Sequence, residues 1–137
     1  MRQRWMRILT GTLLGLATAT VHGEATVGDG LRYVDLAPTF VTNFGGSLEG
    51  RLSYVRTDVT VKVSSQAAEN AVIYHTPALR NTVVLALSRQ EEEGVTTTHG
   101  RDILRTEALE EIQQFLKDAE GEAFVEDLLF TNFIVQQ

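Results

Sequence analysis

Cysteine is missing altogether from this 137-residue chain. That absence removes disulfide staples, thiolate nucleophiles and thiolate metal ligands at once, so stability has to come from packing. Basic residues are scarce as well: twelve Lys and Arg face eighteen Asp and Glu, for a net charge of −6. Three of those twelve, Arg2, Arg4 and Arg7, lie in the first seven residues, so residues 24–137 alone carry nine against eighteen, a net −9. Such a surface repels nucleic acid and anionic headgroups over Debye-length distances, which makes nucleic-acid binding a poor reading. No nucleophile motif of the G-x-S-x-G or Ser-x-x-Lys type occurs either. Length alone points to one domain with a single ordinary core.

The N-terminus holds a basic segment followed by "ILTGTLLGLATATV" (Ile8 to Val21), with small residues at Ala17-Thr18-Ala19 and around Gly23. This is the layout of an export signal. A spanning helix needs about twenty apolar residues, and this run is shorter and diluted by threonine and glycine. Residues 1–23 are therefore read as a signal peptide or short membrane anchor, 24–30 as a linker and 31–137 as the exported domain.

In that domain "LRYVDL" and "TFVTNF" read as short extended segments, with Pro38 enforcing a bend between them. "GGSLEG" (Gly45 to Gly50) is a turn. In "RLSYVRTDVTVKV", Val55, Thr57, Val59, Val61 and Val63 alternate with Tyr54, Arg56, Asp58, Thr60 and Lys62. A period of two with one β-branched and one charged face marks a strand buried on one side. At about 3.3 Å per residue it would span on the order of 40 Å, so one end is expected to overhang the core.

Ser64 or Ser65 then offers an N-cap. Pro77 lacks an N–H and is expected to split the following segment into a short turn and a stronger helix over Ala78 to Ser88. Glu91 to Glu93 and Gly94 read as a solvated connector. Ile103, Leu104, Ala108, Leu109, Ile112, Phe115 and Leu116 recur at i, i+3, i+4 and predict a second helix ending before Gly121. "LLFTNFIVQQ" closes the chain with apolar residues on both alternating faces. Strands buried on both faces read this way, which predicts a position inside the sheet beside the long strand.

Chemistry-bearing groups are sparse. His22, His75 and His99 are far apart, and His75 and His99 read as polar residues at helix ends. Gly45-Gly46 lacks the Lys-Ser/Thr of a phosphate loop and precedes a strand. Paired carboxylates such as Glu110-Glu111 suit a solvated helix face. No catalytic, cofactor-binding or metal-binding residue is assigned. Tyr54, Arg56, Asp58 and Lys62, on the polar face of the long strand, are candidate oligomer contacts. An exported small-ligand or envelope-binding module is the alternative, and a pocket lined by Tyr54, Tyr74 and Phe124 would favour it.

Taken in order, "YVDLAPTFVTNF" (Tyr33 to Phe44), the long strand, "HTPALRNTVVLALS" (His75 to Ser88), "TTHGRDILRTEALEEIQQFL" (Thr97 to Leu116) and the closing "LLFTNFIVQQ" resemble the flagellar basal-body protein FliL family. The positions that carry the resemblance are Tyr33, Asp35, Phe40 and Asn43, then Pro77, Leu79 and Arg80, then Gly100 and Arg101, and finally Phe130, Thr131, Phe133 and Gln136. It implies an α+β fold, a small antiparallel-rich sheet with two main helices packed on it, similar to stomatin-type domains. It also implies a non-enzymatic accessory on the periplasmic side of the inner membrane, attached through its N-terminus if that segment is uncleaved. Such a protein forms a homo-oligomeric ring around the flagellar stator units and supports rotation and motility. Flagellar stator and basal-body proteins are then the expected partners, with no cofactor, no small-molecule substrate and no nucleic acid.

Overall fold

In the computed structural model, which describes residues 30–45 and 53–137, every strand is hydrogen-bonded to one central strand. The elements are β1 (Arg32–Asp35), β2 (Phe40–Phe44), β3 (Ser53–Val63), α1 (Gln66–Ser88), α2 (Glu92–Thr96), α3 (Thr98–Glu120) and β4 (Val125–Gln136). The signal or anchor segment, the linker as far as Asp29 and residues 46–52 of the β2–β3 turn lie outside the described residues.

One side of β3 is shared end to end by two short strands. β1 pairs with its C-terminal half, Val34 opposite Val61, and β2 with its N-terminal half, Thr42 opposite Val55. Along the other side runs β4, with Leu128 opposite Val61; all pairings are antiparallel. The predicted alternation of β3 holds: Val55, Val59, Val61 and Val63 are at most 3% exposed and face the helices. Each buried valine contributes on the order of 1.5–3 kcal/mol. No overhang appears among the described residues. The described strand has 11 residues, about 36 Å, and Val55 near its start and Val63 at its end are both fully buried. The result is an α+β domain, a four-stranded antiparallel sheet with α1 and α3 on one face. No helix among the described residues is long and apolar enough to cross a membrane.

The expected break at Pro77 does not occur: α1 is one helix from Gln66 to Ser88, capped by the Ser65 hydroxyl, which accepts from Ala68 N. Pro77 and Ile73 both stand on the exposed side. The missing N–H and the Ile73 carbonyl it would have met therefore face solvent, which lowers the cost of an interior proline. Leu79, Val83 and Leu87 are fully buried and hold the C-terminal half on the core.

The connector also differs from its reading as a loop. It contains the short α2, because Val95 inserts into the core at 0% exposure. Thr97 then caps α3, its Oγ1 accepting from Gly100 N. α2 and α3 approach so closely that a Cβ on Gly100 would stand 2.3 Å from the Glu93 carbonyl oxygen and 2.7 Å from Gly94 Cα.

The largest departure concerns β4. It does lie beside the long strand, yet it is an edge strand, and Leu129 and Ile134 are exposed on the face away from the helices. Its apolar runs on both faces therefore do not report burial on both faces. The pairing slips between Arg56 and Asp58, where Asn132 and Phe133 both oppose Thr57, and Asn132 adopts φ 50°. This β-bulge is locked from the core side by Thr57, the buried polar residue, whose Oγ1 donates to the Thr131 carbonyl at 2.9 Å.

Two stability measurements follow from these contacts. Gly100→Ala forces backbone apart at the α2–α3 junction and is expected to lower the unfolding free energy in urea by about 1–3 kcal/mol. Thr57→Val leaves the Thr131 carbonyl unpaired and is expected to cost about 1–3 kcal/mol, with Thr57→Ser recovering much of it.

Candidate functional site

The side chains of β3 that point away from the helices meet those of its three neighbours in cross-strand rows. Asn43, Tyr54 and Gln136 form one row; Val41, Arg56 and Ile134 the next; Asp35, Thr60 and Leu129 a third; Tyr33 and Lys62 the last, beyond which Asp127 of β4 turns to Arg105 of α3. Among the described residues nothing packs over this face. It is mixed in character: Tyr33, Val41, Leu129 and Ile134 are exposed apolar groups set between charges.

The four candidate oligomer contacts lie on this face in different local states. Tyr54 Oη donates to Gln136 Oε1. Lys62 Nζ lies 3.7 Å from Glu126 Oε2. Arg56 is exposed and makes no hydrogen bond or ion pair among the described residues. Asp58 is the most engaged: Oδ2 accepts from Asn132 Nδ2 at 2.7 Å, and Oδ1 from Thr39 Oγ1 at 2.6 Å. Those bonds, that from Asn132 first, with help from the Arg56 charge, hold its carboxyl below the usual 3.8. Asp58 thus grips the β4 bulge from the open side, opposite Thr57. Asp35 accepts from Thr60 Oγ1 at 2.6 Å. Together Asp35, Pro38, Thr39, Asp58 and Thr60 line a shallow cleft of about 410 Å³.

The motif residues divide between this face and the packing beneath it. Tyr33, Asp35, Asn43, Thr131 and Gln136 belong to the open face or its rim. Phe40 and Leu79 are core residues, and Phe130 and Phe133 are half-buried in edge-to-face contact at 5.5 Å. Arg80 binds the two layers: its guanidinium donates to the Leu36 and Pro38 carbonyls and lies 4.1 Å over the Phe40 ring. The bend it holds contains the cis Ala37–Pro38 bond. Arg101 stacks on Phe133 at 5.5 Å from α3. Pro77 is exposed and Gly100 buried at the α2 contact.

Tyr54 and Tyr74 do not share a pocket, because Tyr54 is on the open sheet face and Tyr74 on the outer side of α1. His75 lies inside α1, not at a helix end, hydrogen-bonded to Glu120 at 2.6 Å and edge-on to Phe115. No group of three His, Asp or Glu among the described residues is placed to hold a metal. Thr39 and Asn132, the partners of Asp58, were not legible in the sequence: Asn tolerates a positive φ better than most residues, yet the same Thr-Asn-Phe triplet at Thr42–Phe44 pairs regularly in β2.

Among the described residues, the distinctive polar groups gather on an uncovered sheet face of an α+β domain and on the ties beneath it. Comparison with known proteins gives the family. The family described as "Flagellar basal body-associated protein FliL" matches residues 33–136, from the second residue of β1 to the last of β4. A protein named "Flagellar protein FliL" from Aquifex aeolicus (strain VF5) is 28% identical over 101 residues, covering 74% of this chain and 59% of that protein. The chain belongs to the FliL family of flagellar basal-body-associated proteins.

Lowering the pH tests the Asp58 grip. A carboxyl with a depressed native value stabilises the fold above its unfolded value and loses that contribution as pH falls through the native one. Asp58→Asn is therefore expected to flatten the acid limb of a stability-against-pH curve below about pH 4. In the parent protein, the Asn132 side-chain amide resonances should shift over the same range.

Proposed function

We propose that this protein is a non-enzymatic accessory of the flagellar basal body that works by binding. It acts on the periplasmic side of the inner membrane, assembles with copies of itself into a ring and contacts the stator units, supporting rotation. The N-terminal segment carries it across the membrane or anchors it there. The observation that carries this reading is the extent of the family match, which takes in the sheet, the helices and the bulged terminal strand in one stretch. The uncovered face supports the reading as a contact surface: Tyr54, Arg56, Asp58 and Lys62 interleave with exposed Val41 and Ile134, a mixture suited to reversible protein contacts. Arg56 is exposed on it and makes no hydrogen bond or ion pair within the described residues, acting on Asp58 only through its charge.

Deletion of the gene in the native bacterium is expected to reduce swimming speed or surface motility. A C-terminal fluorescent fusion is expected at the flagellar base. Arg56→Glu should weaken both the focus and the motility while leaving the protein folded. Unchanged motility in the deletion strain, together with uniform envelope fluorescence, would overturn the reading.

A further inference from the structure

α1 presents a second surface, on the opposite side of the domain from the open sheet face. None of its exposed side chains is charged. Ile73 is 57% exposed, Tyr74 78% and Leu85 48%, and Pro77 and Asn81 lie exposed between them. The charged residues at the margins of the helix are engaged within the chain: Glu69 with Arg32, Arg80 with the Leu36 and Pro38 carbonyls, Arg89 with Glu111. By contrast α3 exposes Asp102, Glu107, Glu110, Asp118 and Glu120. On a chain of net charge −6, a second copy approaching α3 meets carboxylate against carboxylate, which costs several kcal/mol at a close contact. The α1 face is free of that repulsion.

Its spacing is also self-complementary. Ile73, Pro77, Asn81 and Leu85 are four apart and form one ridge of the helix, the kind that packs into the grooves of another helix. Centred on Leu79, the ridge carries an apolar residue at each end, Ile73 and Leu85, with Pro77 and Asn81 between them. An antiparallel copy therefore places Ile73 against the partner's Leu85, Pro77 against the partner's Asn81 and Tyr74 against the partner's Val84. Pro77 leaves the Ile73 carbonyl without its helical donor on this face, and the partner's Asn81 brings an amide to that level.

We propose that α1 is an isologous contact through which two copies of this chain associate, antiparallel about a two-fold axis near Leu79. The proposal does not depend on the motor reading. It uses the layer opposite the open sheet face, so a domain can engage both surfaces at once. The ridge is about 18 Å long, so the contact belongs to the small, reversible class of interfaces and forms at micromolar concentrations.

The full-length chain, purified as the cell delivers it, is followed by sedimentation from about 1 to 100 µM. The expected result is concentration-dependent pairing that Leu85→Glu weakens at least about tenfold in dissociation constant, with the circular dichroism spectrum unchanged. Because the chain has no cysteine, disulfide trapping tests the orientation independently. The double variant Ile73→Cys, Leu85→Cys should oxidise to a covalent dimer. Ile73→Cys alone should not, since two copies of that position lie about 18 Å apart along the axis. A monomer at all concentrations, association indifferent to Leu85→Glu, or trapping by Ile73→Cys alone would each overturn the proposal. Should Leu85→Glu fail to fold, the trapping result decides.

Discussion

The one-sided burial of β3 is the constraint on which the rest of the domain depends. It is the strand to which β1, β2 and β4 all bond, and its valine face is what α1 and α3 cover. Shifting its register by one residue would turn Val55 to Val63 to solvent and bring Arg56, Asp58 and Lys62 under the helices, a change no local adjustment could offset. That one choice of face also creates the second surface of the molecule, because the charges excluded from the core become the open face.

Around this strand, the FliL-like motif residues act mostly as ties between separate elements. Arg80 reaches from α1 to two carbonyls of the β1–β2 bend and covers the Phe40 ring, so one side chain fixes the helix against the sheet and the bend against both. Gly100 permits the backbone contact that lets α2 fold beneath the start of α3. The β4 bulge is held from its two sides by neighbouring residues of β3, Thr57 through the Thr131 carbonyl and Asp58 through the Asn132 amide. A chain without disulfides relies on such cross-element contacts to make its packing specific.

Surface charge is distributed unevenly over this frame. α3 is acidic, the sheet face mixes both signs with apolar groups, and the exposed side of α1 is neutral. A member of a basal-body-associated family thus offers two chemically different surfaces on opposite layers. Selectivity between partners can rest on that difference, with like-charge repulsion excluding wrong contacts and apolar area holding right ones.

What the sequence by itself determined is whatever depends on periodicity and on nearest neighbours. The alternation in Val55 to Val63 fixed the buried face of β3, the i, i+3, i+4 pattern from Ile103 to Leu116 marked α3, the cap of α1 was narrowed to Ser64 or Ser65, Gly121 marked a stop, and the ordered motifs marked the family. The tertiary structure alone decided the continuity of α1, because the cost of Pro77 depends on whether its bare carbonyl faces water or protein. It also decided that β4 is an edge strand. Apolar residues on both faces look alike whether the second face is buried or left exposed, and which strand lies outermost is a property of the whole sheet. The partners of Asp58 come from positions 19 and 74 residues away, and no local pattern encodes a contact at that range.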